Sequence, residues 1–166
     1  MMRRILLFLS VILCIGLCAC GNNTQEKGMQ VVNPLKEVTV EEMAEQTGIV
    51  LAAPEKAEEV RYFVLTYGDV KIAQIKFSWN GKAAYVRAQA TSALEAEDIS
   101  GLNYQWTSTG EVQVGDWEAT TYLKEEVGYI AWLDTASGIV YNLCMTEGAN
   151  ADTLCELANA IFKLIS

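Results

Sequence analysis

The fold is decided by the stretch VKIAQIKFSWNGKAAYVRAQAT, which covers residues 70–91. Two apolar-rich runs flank Asn80 and Gly81, the preferred pair for the two-residue type I′ turn of a β-hairpin. With that turn Trp79 pairs with Lys82, and the register of both strands follows. It places apolar pairs on one face: Ala73–Ala88, Ile75–Val86 and Phe77–Ala84. On the other face it places two pairs that we predict to be exposed: Gln74–Arg87 and Lys76–Tyr85.

Strand patterns recur on both sides of this hairpin. Residues 60–67 carry apolar side chains at odd and even positions, which is typical of a strand covered on both faces. Residues 102–106 alternate apolar and polar side chains, which predicts a half-buried strand, and residues 108–110 predict a turn after it. The remaining predicted strands are residues 49–51, 111–114, 117–124, 128–133 and 139–145.

Two helices are predicted at the ends of this region. Thr39 and Glu42 have the spacing of a capping box, and Gly48 is suited to end the short helix that they begin. Asn150 or Asp152 begins a C-terminal helix with an apolar stripe: Leu154, Leu157, Ala158, Ile161 and Ile165. The patterns predict one α+β domain over residues 38–166. It is an antiparallel sheet of about six to eight strands with a short N-terminal helix and a C-terminal helix packed on one face.

The last predicted hairpin leaves its register open. A four-residue loop pairs Trp132 with Tyr141, whereas a bulged loop pairs Ala131 with Tyr141, and the apolar pattern fits both. We expect the C-terminal helix to cover the side of the strand that carries Tyr141, which points Cys144 away from the helix. We therefore predict that Cys144 and Cys155 are free and at least partly buried, in preference to a disulfide or a soft metal site.

The N-terminal stretch predicts where the protein is held. A basic start precedes the apolar run 5–19, which is shorter than the ~20 residues of a transmembrane helix and fits a secretory signal peptide. The run ends in Leu17-Cys18-Ala19-Cys20, which resembles the lipobox of bacterial lipoproteins. We expect removal of the signal peptide 1–19, acylation of Cys20 with long chains such as palmitate, and a flexible tether over residues 20–37. The domain is then extracytoplasmic and anchored to the cell membrane.

The net charge of the chain and its lack of histidine limit the classes of function that we expect. Without Arg3 and Arg4 of the signal peptide, ten basic residues face 21 acidic ones, a net charge of −11. This charge disfavours nucleic acid as a partner, and the membrane is expected as a partner through the acyl anchor alone. The sequence contains no histidine, the commonest general base and a common metal ligand. We expect no catalytic residue, no metal and no cofactor, and we predict that the protein is not an enzyme.

Aromatic side chains on the predicted strands are the candidates for binding. Most are expected to fill the core, because a sheet of this size needs large apolar side chains there. The candidate binding residues are Tyr85, Trp106, Trp117 and Tyr122. Of these, Tyr85 and Tyr122 are expected to be the more exposed.

Three motifs carry a family resemblance. Gly128-Tyr129-x-x-Trp132, Gly138-x-x-Tyr141-x-Leu143 and the helical stripe 154–165 resemble the C-terminal half of small uncharacterised lipoproteins of Gram-positive bacteria. Residues 48–54 and 98–101 are also similar to that group of lipoproteins. The group shares a domain of unknown function, which is similar to extracytoplasmic domains of sigma-factor regulators. The resemblance implies a cell-envelope location and a fold, and it brings no catalytic residue.

We therefore expect a lipid-anchored extracytoplasmic protein that works without catalysis, as a binding or envelope-associated module. Its partner is an unknown protein or small-molecule ligand. The alternative is a carrier that holds a hydrophobic ligand in a pocket between the sheet and the C-terminal helix. A closed apolar cavity under that helix would favour the carrier, and a well-packed core would favour the binding module.

Overall fold

The computed structural model describes residues 34–165 of the chain. The predicted signal peptide, the acylation site Cys20 and residues 20–33 of the tether lie outside the described residues. In chain order the elements are β1 (Leu35–Val38), α1 (Val40–Thr47), β2 (Glu58–Tyr67), β3 (Val70–Trp79), β4 (Lys82–Ala90), β5 (Ser108–Val114), β6 (Trp117–Lys124), β7 (Val127–Asp134), β8 (Ile139–Met145) and α2 (Ala151–Ile165).

The strands form one antiparallel sheet in the order β1-β2-β3-β4-β8-β7-β6-β5. Two four-stranded meanders, β1 to β4 and β5 to β8, meet at the centre of the sheet where β4 pairs with β8. Both helices pack against this sheet. The predicted α+β class, with an eight-stranded antiparallel sheet and one helix near each end of the domain, is confirmed.

The β3–β4 hairpin has the predicted register. Ile75 pairs with Val86, and Trp79 pairs with Lys82 beside the turn. The φ angles of Asn80 and Gly81 are 50° and 73°, so both central residues have the left-handed conformation that a type I′ turn requires.

The two helices cover the same face of the sheet, which we call the helix face. The capping box of Thr39 and Glu42 begins α1, and Gly48, with a φ of 72°, ends it as predicted. The side chain of Asn150, not of Asp152, caps α2, because its Oδ1 accepts a hydrogen bond from the Thr153 amide at 2.9 Å. In the described part of the chain neither helix is long and apolar enough to cross a membrane.

The space between α2 and the sheet is filled by side chains. Four residues of the predicted apolar stripe are buried, with Leu154, Leu157, Ala158 and Ile161 each 0 or 1% exposed, and Ile165 is half-buried. Ile130, Trp132 and Leu143 of the sheet beneath are 0% exposed. Since a cavity of water size would expose the side chains around it, these described residues are closely packed against one another.

The last hairpin takes the first of its two registers. Trp132 pairs with Tyr141 across a four-residue loop, and the two rings stack 5.1 Å apart. Tyr141 lies on the helix face, so Cys144 points to the opposite face, as predicted. Cys144 is buried and Cys155 is half-buried, and both thiols are free.

Five local predictions are wrong. Residues 35–37, assigned to the tether, belong to the edge strand β1 (Leu35–Val38), because Leu35 pairs with Leu65 of β2 in a contact distant in sequence. Residues 49–51 and 102–106 form no strand, and residues 108–110 begin β5 instead of a turn. In both mispredicted strands several apolar side chains pack against the sheet without joining its ladder, which periodicity cannot distinguish. They are Ile49, Leu51, Leu102 and Trp106.

The fifth error concerns the face of the hairpin opposite the helices, which we call the outer face. Its pairs Gln74–Arg87 and Lys76–Tyr85 were predicted to be exposed, but Gln74 is 0% exposed and both Tyr85 and Arg87 are half-buried. For Tyr85 and Arg87 the cause is the connection between β4 and β5, residues 91–107, which crosses this face and accepts hydrogen bonds from both side chains.

Candidate ligand-binding groove

Three of the four predicted binding residues come together on the outer face. Tyr85, Trp106 and Tyr122 are half-buried there around Tyr129. Trp117 packs against the core on the helix face and does not join this cluster, but together with Tyr122 it lines a second groove described below. Tyr85 and Tyr122, which were expected to be the more exposed, are therefore partly covered.

The rings form a compact aromatic cluster. Tyr122 and Tyr129 stack with centroids 4.5 Å apart and planes 8° from parallel. The Trp106 ring meets the Tyr129 ring edge-on at 5.2 Å, and Tyr104 lies 5.5 Å from Trp106. Such pairs stabilise beyond the area that they bury. The cluster therefore anchors the end of the connection to the sheet, and Tyr104 at its edge stays 44% exposed.

Hydrogen bonds hold the middle of the connection against the sheet. Asn142 is 0% exposed, and its Oδ1 accepts from the Ile99 amide at 3.0 Å while its Nδ2 donates to the Glu97 carbonyl at 3.1 Å. The Tyr85 hydroxyl donates to the Ser100 carbonyl at 2.9 Å. These bonds satisfy backbone groups that would otherwise be buried without partners.

The connection covers the thiol of Cys144, which faces Tyr85 and Tyr129 across the neighbouring strands. Burial raises the pKa of Cys144 to about 12. A nucleophilic cysteine needs a lowered pKa and access, so this thiol is a structural group. Burial also raises the pKa of the hydroxyls of Tyr85 and Tyr129 above the usual value.

Beside the connection, β2, β3 and β4 form an open groove of about 610 Å³ on the outer face. We call it the Gln74 groove. Its volume lies in the range of small-molecule sites, ~300 to 1,000 Å³. Five charged side chains line it: Glu59, Arg61, Lys76, Arg87 and Glu147.

Gln74 has an unusual hydrogen-bonding state in this groove. Its Oε1 accepts from the Nε of Arg87 at 2.7 Å. Because a guanidinium only donates, this bond fixes the orientation of the amide, and the opposite orientation would set donor against donor. Nε2 of Gln74 is buried and has no acceptor. Among the described residues one other buried side-chain atom shares this state, Nε1 of Trp132 on the helix face.

The cations of the groove lie against aromatic rings. Nζ of Lys76 lies 5.1 Å from the centroid of Phe63, and the guanidinium carbon of Arg61 lies 5.4 Å from it. Arg61 also forms an ion pair with Glu37, and this hydrogen bond lowers the pKa of Glu37. Among residues 34–165, Lys76 and Arg87 have no carboxylate within 4.0 Å.

A second groove, of about 900 Å³, lies on the other side of the connection. Its charged lining is acidic: Glu95, Glu111, Asp116 and Glu118. Within the described residues it contains no buried polar atom that lacks a partner. It therefore has acidic charge but no specific group that points to a ligand.

Sequence reasoning paired Gln74 with Arg87 correctly but missed both as site residues. One signal was available, a glutamine between Ala73 and Ile75 in a strand that is otherwise apolar at its centre. That signal becomes informative only when the outer face is known to be covered.

No group of three or more His, Cys, Asp or Glu side chains suited to a metal ion occurs in the part of the chain that the structure describes. Comparison of the chain with known protein families, with curated proteins and with solved structures finds no match to any of them. The resemblance to small Gram-positive lipoproteins therefore stays a prediction.

Proposed function

We propose that this protein is a lipid-anchored extracytoplasmic binding module, without enzymatic activity, that takes its ligand in the Gln74 groove. The anchor rests on the lipobox-like Leu17-Cys18-Ala19-Cys20 after a basic start and a short apolar run. Acylation at Cys20 with more than one chain gives stable attachment, and residues 21–33 give the domain reach above the lipid surface.

The observation that carries the binding function is the buried, unpaired Nε2 of Gln74 in an open groove. A buried donor without an acceptor costs about 1 to 3 kcal/mol, so folded proteins keep few of them. A ligand that supplies the acceptor recovers this free energy on binding. The covered thiol of Cys144, with its raised pKa, offers no reactive group that supports a catalytic function.

The anchor is tested with Cys20→Ser in the full-length protein, expressed in a bacterial host with lipoprotein processing. Transfer of the lipid requires the sulfur, so the variant is expected to accumulate as an unprocessed precursor. Cys18→Ser is the matched control and should be processed and membrane-bound. Normal processing and membrane retention of Cys20→Ser would end the lipoprotein proposal.

The groove is tested with a fragment library screened by NMR against the full-length protein in non-ionic detergent. Fragments should shift resonances of residues that line the groove, such as Ser78 and Ala83. Ala83→Trp, which fills the groove, should remove those shifts, whereas Thr120→Trp in the acidic groove should leave them. Shifts concentrated in the acidic groove or beneath α2 would contradict the proposed site.

A further inference from the structure

We infer that the ligand of the Gln74 groove presents an oxyanion, a carboxylate or phosphate group, to Nε2 of Gln74 and the ammonium of Lys76. This inference rests on the proposed function and names the chemistry of the ligand.

The free atom of Gln74 is a donor, so the ligand must carry a hydrogen-bond acceptor. The bond from Arg87 Nε fixes Oε1 as the occupied atom, and the free atom Nε2 can only donate. A ligand with donors alone, such as an ammonium group, cannot satisfy it. Carbonyl, carboxylate and phosphate oxygens all can.

The charges around Gln74 select an anionic acceptor. Lys76 is exposed, is held near the Phe63 ring, and has no carboxylate within 4.0 Å among the described residues. Arg87 uses Nε and Nη1 for bonds to Gln74 and Ile99, and it likewise lacks a carboxylate partner. Two cations without carboxylate partners thus lie beside a donor without an acceptor, a combination that suits an anion. Charge-assisted hydrogen bonds are about twice as strong as neutral ones.

The two carboxylates of the groove limit the size of the anion. Glu147 accepts from the Ala83 amide at 3.3 Å, and Glu59 is exposed beside the irregular pairing of β2 with β3. These negative charges repel a polyanion such as nucleic acid. The groove therefore suits a compact ligand with one oxyanion and an uncharged or cationic remainder.

The test uses four probes with the full-length protein in non-ionic detergent: benzoate, benzamide, benzamidine and inorganic phosphate. The first three share a ring and differ in charge, and phosphate tests the second source of an oxyanion. The readout is the side-chain amide resonance of Gln74, followed by NMR titration. Benzoate or phosphate should shift this resonance, benzamide should bind more weakly, and benzamidine should not shift it. The tighter of benzoate and phosphate identifies the group.

Two lysines of β3 supply a matched pair of variants. Lys76→Gln should weaken the binding of the anionic probe roughly tenfold, because one charge-assisted hydrogen bond is lost. Lys71→Gln removes an equally exposed charge from the same strand but outside the groove, and it should leave the affinity unchanged. Equal losses in both variants would indicate general electrostatics and contradict the site.

The remaining outcomes separate this inference from the proposed function. If benzamide or benzamidine binds in the groove as well as benzoate, the oxyanion is wrong and the binding site stands. If none of the probes shifts any resonance of the groove up to about 50 mM, well above the range of useful affinities, the oxyanion inference is rejected. A fragment screen that also leaves the groove empty would then reject the site itself.

Discussion

Gly101 lies where the connection passes over Arg87, and both its backbone and its lack of a side chain matter. Its φ is 72°, and a Cβ built there would lie 2.3 Å from Nη1 of Arg87. Nη1 donates to the Ile99 carbonyl at 2.9 Å, so the guanidinium cannot move aside without loss of that bond. The residue thus couples the path of the connection to the charged groups of the Gln74 groove.

We expect Gly101→Ala to lower the free energy of unfolding by about 2 to 4 kcal/mol, from left-handed strain plus the displaced guanidinium. Gly48→Ala is the matched control, since Gly48 has the same φ of 72° and nothing within 4 Å of its added Cβ. That control should lose about 1 to 2 kcal/mol. Urea unfolding measures both, and equal losses would show that the contact with Arg87 carries no energy.

The type I′ turn leads to a second prediction at the scale of single residues. Gly81 has a φ of 73°, which a β-branched residue adopts only with strain. Gly81→Val should therefore destabilise the protein by ~1 kcal/mol or more. Gly81→Asn should cost less, because asparagine tolerates this conformation. Thermal unfolding is the measurement, and an unchanged midpoint for Gly81→Val would contradict the turn.

At the scale of the elements, the connection 91–107 covers part of the outer face, where another fold would place a layer of helices or strands. It has no helix or strand of its own, so its backbone groups need partners from the sheet. Asn142 of β8 supplies two of them, to Ile99 and Glu97, from a position that is 0% exposed. This amide therefore holds the layer against the sheet together with Tyr85 and Arg87, which donate to the carbonyls of Ser100 and Ile99.

Asn142→Ala should lower the free energy of unfolding by about 2 to 3 kcal/mol, because two backbone groups lose their partner in a covered region. It should also increase hydrogen exchange at the Ile99 amide well above that at Ile75 in β3. Gln105→Ala, an exposed position of the same connection, is the control and should change neither quantity. Unchanged exchange at Ile99 in Asn142→Ala would mean that the connection is held elsewhere.

For the molecule as a whole, burial on the outer face and in the core predicts sensitivity to alkali. Burial raises the pKa of Cys144 from 9.0 to about 12 and that of Tyr141 from 10.0 to about 12. Both groups are neutral when protonated, and the unfolded chain releases these protons at lower pH than the folded chain. Their contribution to stability is therefore complete below pH 9 and is lost as the pH rises from 9 toward 12.

The free energy of unfolding should consequently fall by roughly 1 to 2 kcal/mol between pH 8 and pH 10.5 from Cys144 alone. Urea unfolding at a series of pH values measures the fall. Cys144→Ala removes the titrating thiol and should make the fall shallower above pH 9. The Cys155→Ser control should keep the original slope. A stability that is constant over this range would contradict the burial of the thiol.

The predicted mature chain is acidic as a whole, whereas basic side chains gather in the Gln74 groove. The predicted mature chain carries a net charge of −11, while Arg61, Lys76 and Arg87 gather on one side of the outer face. The connection separates this groove from the acidic groove over β5 and β6. One sheet face thus presents two surfaces of different charge, of which the Gln74 groove also carries an unpaired donor.

Local chemistry alone determined the hairpin, the caps and the amphipathic helix. Asn80-Gly81, the capping box at Thr39 and the stripe from Leu154 to Ile161 act between residues close in sequence, so turn preference and periodicity predict them directly. The direction of Cys144 followed as well, because alternation along β8 leaves it opposite Tyr141 once the helix covers the more apolar side.

Tertiary structure alone decided what covers the outer face, and with it the candidate site. The connection 91–107 has no helix or strand in the structure, and its place depends on Asn142 and Arg87, which pairing between β4 and β8 sets opposite each other. Gln74 on the neighbouring strand β3 is bonded to the same Arg87, and its Nε2 is left without an acceptor. The strand β1 depends in the same way on β2, since an edge strand this short forms only where a partner strand already exists.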